Sequence, residues 1–362
     1  MLDADVEVDR RDFTVHAAVS VAPGERLALF GPSGAGKTTI LEAIAGLVPL
    51  RRGQVVLGGR VLTSTVPPVR AVPPWQRQVG LLRQDPGLFP HLSVRDNLRY
   101  APTAERSGGE LTRLAELLGI GGLLAAMPAR LSGGQAHRVA LGRLLLAHCN
   151  ALLLDEPFSG LDAALRRALT DLVVRLVEDH RVPAILVAHE LADAQAFADR
   201  MAVLDGGCLL QVGPPQEVVL QPGSRRVAEL VGYLGFVPVR RALRGGGTGG
   251  AEPGQGGGTG GAEPGQMVAA VHPDRVIAGA YPDRGVVLAG TVIACRPSGV
   301  GWEADLRVGQ AVIICRLTDR PTAEDGRLVV TALEPPCFGP DGAALPAPAG
   351  DRSPVWPEQV SV

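Results

Sequence analysis

Lysine is almost missing from this chain. Of 35 basic residues among 362, 34 are arginine and one, Lys37, is lysine. Aromatic residues reach only 4%, and Trp75, Trp302 and Trp356 have no spacing that suggests stacking on bases. Neither sign of charge dominates. The formal net charge of −2 gives no reason to expect nucleic acid or an acidic lipid surface as the main partner. No run approaches the roughly 18 apolar residues needed to span a bilayer, and the opening MLDADVEVDRRDF is too charged for a signal peptide. Work at a membrane would therefore require another subunit to hold the chain there. The five cysteines (Cys149, Cys208, Cys295, Cys315, Cys337) are odd in number and widely spaced. They fit neither a disulfide framework nor a Cys-x-x-Cys metal site, and reduced, mostly buried thiols in a cytoplasmic protein are expected.

What is present suggests two or three domains with ample chain for a core. Residues 1–30 alternate and end in the apolar run RLALF, a strand that leads into a glycine loop. TTILEAIAGLV has helical spacing, and GQVVLGGRVL reads as a hairpin turning at Gly58 and Gly59. TSTVPPVRAVPPW is a proline-rich connection. Helices are expected over 110–126, 135–149 and 161–180, and another ending at Arg200. ALLLDEP, AILVAHE and MAVLDGG are expected strands. Such alternation implies an α/β fold with a parallel sheet covered on both faces.

Composition changes near residue 222. The spacing gives a first domain over 1–222 and a connecting segment over 223–266, in which GGGTGGAEPGQ occurs twice in succession from Gly245 to Gln266. With no apolar side chain larger than alanine, the duplication is expected to be a flexible surface loop. Short strand-like runs (MVAAV, GVVLAGTVIAC, WEADL, AVIICRL, RLVVTAL) fill 267–339 and suggest a small β-barrel-like domain. Residues 340–362 are expected to be a disordered tail.

The lone lysine sits in Gly31-Pro32-Ser33-Gly34-Ala35-Gly36-Lys37-Thr38-Thr39, between a strand and a helix. That pattern, G-x-x-x-x-G-K-S/T, lets backbone N–H groups curl around phosphate oxygens at a helix N-terminus. Lys37 offers a compact charge on a thin stem, where the broad guanidinium of arginine is a poor substitute. Thr38 offers a hydroxyl to Mg²⁺. Lysine survives where shape as well as charge is required. Downstream, Asp155 and Glu156 end a buried strand: the first suits Mg²⁺ or its water shell, the second the polarising of an attacking water. Ser132, Gly133, Gly134 and Gln135, in LSGGQ, open a helix and make a second anion site.

LSGGQ lies 23 residues before Asp155 (155 − 132), and in that arrangement the chain resembles the ATP-binding-cassette (ABC) ATPases. The remaining family marks occur in order: Gln84 as the glutamine loop, SGLD from Ser159 to Asp162 as the loop crossing a dimer interface, and His189 as the switch histidine. The resemblance covers about residues 1–222. It implies a P-loop cassette with a helical subdomain, binding ATP and Mg²⁺ in a head-to-tail dimer where each ATP lies between one glycine loop and the partner's signature. Asp162 and Ser132–Gln135 would complete the partner's nucleotide site. Gln84 would contact Mg²⁺ or water, Glu156 would act as base and His189 would hold the γ-phosphate. Two departures stand out: Ala136 and His137 replace a more usual polar or basic pair, and the adenine-stacking aromatic has only Phe13 as a nearby candidate.

RRVAELVGYLGFVP and VAAVHPDRV resemble the appended domain of importer ATPases, which implies an oligonucleotide/oligosaccharide-binding (OB) type of fold. Its role there would be to regulate, to aid dimerisation or to bind solute. LFPHLSVRDNLRY, Leu88 to Tyr100, resembles molybdate-importer ATPases. The resemblance implies membrane permease subunits and a second copy of the chain as partners, and an extracytoplasmic solute-binding protein indirectly. It places the chain peripherally on the cytoplasmic face of the plasma membrane. Importers of iron, sulfate, thiosulfate or polyamine share the layout, and an exporter cassette is the other alternative. A soluble ABC protein acting in DNA repair or translation usually needs two cassettes or a coiled-coil insertion, and this sequence has neither.

Overall fold

The computed structural model describes residues 1–100, 108–240, 267–280, 285–299, 301–320, 327–333, 335–339, 341–345 and 356–357. The glycine-rich duplication and most of the tail lie outside them. The described chain falls into two units, Met1–Gln216 and Glu217–Val362.

In the first unit an eleven-stranded sheet has the order β6-β5-β4-β1-β2-β11-β10-β3-β9-β8-β7. One half is antiparallel: β1 (Leu2–Asp9), β2 (Thr14–Val21), β4 (Arg52–Leu57), β5 (Arg60–Ser64) and the short β6 (Arg70–Ala71). The alternating burial of β1 and β2 is that of strands covered chiefly on one face. The other half runs parallel through β3 (Arg26–Phe30), β7 (Val79–Leu82), β8 (Ala151–Asp155), β9 (Ala184–Ala188) and β10 (Arg200–Asp205). β11 (Cys208–Gly213) turns back antiparallel on β10. The expected parallel sheet thus forms one half of a mixed one. Turns as short as those joining β1 to β2 and β4 to β5 reverse the chain, whereas a parallel pair needs a crossover. β8 and β9 are buried along their whole length, matching their unbroken apolar runs.

Helices α1 (Lys37–Ala45), α2 (Val94–Leu98), α3 (Gly108–Leu117), α4 (Gly133–Leu145), α5 (Ala163–His180), α6 (Leu191–Phe197) and α7 (Pro215–Leu220) follow in order. The helix expected over 110–126 stops at Leu117, where Gly119 takes a left-handed φ of 63°. α2 to α4 form the helical insertion between β7 and β8. The core joins Ile40, Leu41 and Ile44 of α1 to Leu2, Val6, Leu29, Leu153 and Ile185 of the sheet. Arg77 is buried within this unit, donating to the carbonyls of Val72 and Ile44 and to the Thr63 hydroxyl at 2.8 Å each.

Among the described residues the second unit is built chiefly of strands, with α8 (Arg225–Leu230), the end of α7 and a 3-10 turn at Pro273–Arg275. One sheet orders β19 (Cys337–Phe338), β13 (Met267–Val271), β12 (Gly235–Arg240) and β20 (Trp356–Pro357). The other orders β14 (Val276–Ala278), β18 (Arg327–Leu333), β15 (Gly285–Ser298), β16 (Gly301–Val308) and β17 (Ala311–Leu317). A single apolar cluster, including Val237, Val271, Leu288, Leu306, Ile313 and Val330, lies under both. Residues 223–240, read from sequence as connector, supply α8 and β12. β12 pairs antiparallel with β13, Val239 opposite Met267, so residues 241–266 link two paired strands. The expected tail is structured over Asp341–Leu345, where Leu345 N–H donates to the Cys337 carbonyl at 2.8 Å. The thiols are less uniformly buried than expected: Cys315 is buried, but Cys208 and Cys295 are exposed. No helix among the described residues is long and apolar enough to cross a membrane.

Candidate functional site

Four adjacent parallel strands, β3, β9, β8 and β7, release their chains at one sheet edge. The register sets Phe30 against Ala188, Asp155 against Val187 and Leu82 against Leu154. The glycine loop, His189, Glu156 and Gln84 therefore emerge side by side, at the carboxyl ends where open α/β sheets bind ligands.

The glycine loop owes its path to close approaches. A Cβ at Gly31 would lie 2.0 Å from the Leu204 carbonyl oxygen, and one at Gly36 2.7 Å from Val15 Cγ2. Only glycine lets the loop press against β10 and β2. Gly36, at φ 102°, is the N-cap of α1, so the loop ends at a positive helix terminus. Lys37 is 6% exposed, and its Nζ donates to the Gly31 and Pro32 carbonyls at 2.7 and 2.8 Å. Burial lowers its pKa, opposed by Glu156 and Asp155. The Thr39 hydroxyl is engaged elsewhere, accepting from Arg10 Nε at 2.8 Å. Ser33 and Gly34 are exposed at the loop's crown.

Thr38 donates its hydroxyl to Asp155 Oδ2 at 2.9 Å. Asp155 is 2% exposed, and its Oδ1 is buried with no hydrogen-bond partner among the described residues. Burial raises its pKa, and the Thr38 bond opposes the rise. An orphaned carboxylate oxygen beside a hydroxyl fits Mg²⁺. No cluster of three His, Cys, Asp or Glu able to hold a metal occurs among the described residues.

Glu156 has a left-handed φ of 51°, a conformation that costs a non-glycine residue on the order of 1–3 kcal/mol. Its N–H donates to the Val187 carbonyl, and its own carbonyl accepts from Ser159 N–H at 3.2 Å. Glu156 and His189 line one small cavity of about 80 Å³ with Ser159, Arg166, Glu190 and Asp193. His189 is exposed. Asp162 is the N-cap of α5, its Oδ1 accepting from Ala164 and Leu165 N–H.

The signature segment stands apart. Ser132 and Gln135 form a capping box at α4: Ser132 N–H donates to Gln135 Oε1 at 2.9 Å, and Gln135 N–H to Ser132 Oγ at 3.3 Å. Ser132, Gly133 and Gly134 are exposed, and no hydrogen bond or ion pair among the described residues joins them to residues 31–39. α4 instead grips the segment after Gln84. Arg143 donates to the Pro86 and Gly87 carbonyls at 3.2 and 3.0 Å and lies 5.2 Å from the Phe89 ring centroid. His137, the sequence departure, is half-buried with Nε2 unpaired among the described residues. Burial lowers its pKa, while the backbone of Gln84 favours the protonated ring. Asn97, fully buried, accepts from Phe89 N–H and donates to three carbonyls of the same segment. Arg10, Asn97, Arg143 and Arg166 escaped the sequence reading because no local motif marks them. Phe13 packs against the apolar core of the unit.

The model of the ABC transporter family matches residues 15–159. The Fe(3+) ions import ATP-binding protein FbpC of Mesorhizobium japonicum is 40% identical over 223 residues, 61% of each chain. The molybdenum import ATP-binding protein ModC of Mycobacterium tuberculosis is 42% identical over 236 residues, 63% of each. The chain thus spans about three-fifths of the length of the curated relatives it matches. A solved ATP-binding subunit of an ABC transporter superposes with TM-score 0.52 at 27% identity, covering 64% of this chain and 95% of that one. Together with the glycine loop, the Thr38–Asp155 pair and the strand-end grouping, these matches show that the N-terminal unit is similar to the ATP-binding domains of ABC transporters.

Proposed function

We propose that the chain is the ATP-hydrolysing subunit of an ABC importer, acting as a head-to-tail pair on membrane permease subunits. The observation that carries the ATPase reading is the convergence of Lys37, Thr38, Asp155, Glu156 and His189 at one strand edge. In this reading the N–H groups of residues 33–39 and the Lys37 ammonium receive the phosphates. Mg²⁺, when bound beside Thr38, Asp155 and Gln84, would neutralise phosphate charge. Glu156 orients and deprotonates the attacking water, and His189 holds the γ-phosphate from the far side of their shared cavity. The exposed Ser132–Gly134 segment and the SGLD turn ending at Asp162 face the nucleotide of a second copy. For Ser132–Gly134 that assignment is supported by their exposure and by the lack, among the described residues, of any hydrogen bond or ion pair to residues 31–39. Closing and opening of the pair then gates transport.

Import is favoured by the relatives named as import proteins and by the second unit, built chiefly of strands. A molybdate-like oxyanion is the first choice of solute, on the Leu88–Tyr100 segment. Iron, sulfate, thiosulfate or polyamine import and an exporter cassette are the alternatives. The test is uptake by cells carrying Glu156→Gln, with labelled molybdate, sulfate, ferric iron and polyamine in parallel. Loss of one uptake with the others intact supports import and names the solute class. Four unchanged uptakes with accumulation of a toxic compound would overturn import in favour of export.

A further inference from the structure

His189 needs something to hold it, because it sits exposed on the short turn between β9 and α6. The next residue, Glu190, occupies the N-cap position of α6, yet its side chain makes no capping hydrogen bond there. It turns to α5 instead. Arg166 Nη1 lies 2.7 Å from Glu190 Oε2 and 3.4 Å from Asp193 Oδ1, in the first turn of α6. Arg166 is itself anchored one turn into α5: its N–H donates to the carbonyl of Asp162, the last residue of SGLD, at 2.9 Å. The Arg166 guanidinium therefore joins the first turn of α5, directly after SGLD, to the segment carrying His189, and Ser159, Gly160, Arg166, His189, Glu190 and Asp193 line the cavity that Glu156 shares.

We propose that Arg166 is a positioning residue that fixes His189 in the cavity it shares with Glu156 by tying the first turn of α5, directly after SGLD, to Glu190 and Asp193. The inference rests on the ATPase reading above and deepens it. A partly exposed ion pair adds little to stability, and the Arg166 and Glu190 side chains are 27% and 58% exposed. The arginine serves geometry: its Nη1 alone meets both carboxylates, held at the end of a planar group that a lysine ammonium on a flexible stem does not reproduce. Motion of the SGLD turn and the first turn of α5 is thereby passed to the segment carrying His189 through the contacts of Arg166 with Glu190 and Asp193.

The experiment uses the full chain. Mg²⁺-dependent phosphate release from ATP is measured for the wild type, Arg166→Ala, Arg166→Lys, His189→Ala and the Arg166→Ala/His189→Ala double variant. Affinity for a fluorescent ATP analogue and the unfolding midpoint are followed in parallel. Arg166→Ala is expected to lower kcat about tenfold, about 1.4 kcal/mol of barrier, with KM, nucleotide affinity and midpoint unchanged. Arg166→Lys should fall between. The double variant should be no slower than His189→Ala alone, because the arginine acts through the histidine. Full-rate turnover by Arg166→Ala, or an equal proportional loss in the His189→Ala background, would overturn the proposal. A wild type that releases no phosphate would instead overturn the ATPase reading itself, and the arginine's role with it.

Discussion

Replacing Asp155 by asparagine separates the cost of this carboxylate from its use. The side chain is 2% exposed, with Oδ1 unpaired among the described residues. Burial is the largest influence on its pKa, upward, and the attraction of Lys37 is the smallest. A raised folded pKa means that the stability tied to the neutral carboxyl is complete below the ordinary aspartate range. It is lost as pH rises through the folded value. Asparagine has no such loss. The amide keeps one polar atom without a partner, so the gain sits at the low end of the burial scale, on the order of 1 kcal/mol. For a unit of this size that is a rise of about 2–4 °C in midpoint. The assay is thermal unfolding in chelator at pH 4.5 and pH 8, then at pH 8 with ATP and Mg²⁺. Asp155→Asn should melt higher than wild type at pH 8 in chelator, with the difference shrinking on acidification. Mg²⁺ should add to ATP stabilisation in the wild type and add little in the variant. A variant that melts lower at pH 8, or an equal Mg²⁺ effect in both proteins, would refute the reasoning.

Arg77→Leu should destabilise the first unit by about 1–3 kcal/mol or more, because two carbonyls and the Thr63 hydroxyl lose their donor inside the core; chemical denaturation measures it. At pH 8 an alkylating agent should label the exposed Cys208 and Cys295 quickly. It should spare Cys149 and Cys315, whose thiols burial pushes up to about 11 and about 12; mass spectrometry at early times reads the order. Deleting Gly245–Gln266 leaves Arg241–Arg244 to connect β12 and β13, a length at which hairpin loops of about four residues are common. ATP hydrolysis should be unchanged, and a large loss would give the duplication a role beyond a loop.

The chemistry-bearing residues were legible because their constraints are local. A glycine run between strand and helix, an acidic pair closing an apolar strand and a serine capping a glycine pair each dictate their own backbone. Sheet direction was less legible: the unbroken apolar runs of AILVAHE and ALLLDEP form parallel strands, but the first strands fold back on themselves, and alternating burial does not encode which neighbour a strand takes. The helix read over 110–126 was too long because apolar spacing continues past Gly119, where the backbone does not. Arg10, Arg143 and Arg166 were invisible for another reason. Each acts across 24 to 57 residues of sequence, and among 34 arginines none carries a local mark. The same drift towards arginine is what made Lys37 conspicuous.

We propose that Glu156 deprotonates water for ATP hydrolysis at the edge formed by Lys37, Thr38 and Asp155. The direct test is phosphate release by the purified chain with ATP and Mg²⁺, comparing wild type with Glu156→Gln, alongside the sedimentation of each with ATP. The wild type should turn over ATP with Mg²⁺, and the variant should bind ATP, barely turn over and accumulate as a closed dimer. Rapid turnover by Glu156→Gln would contradict it.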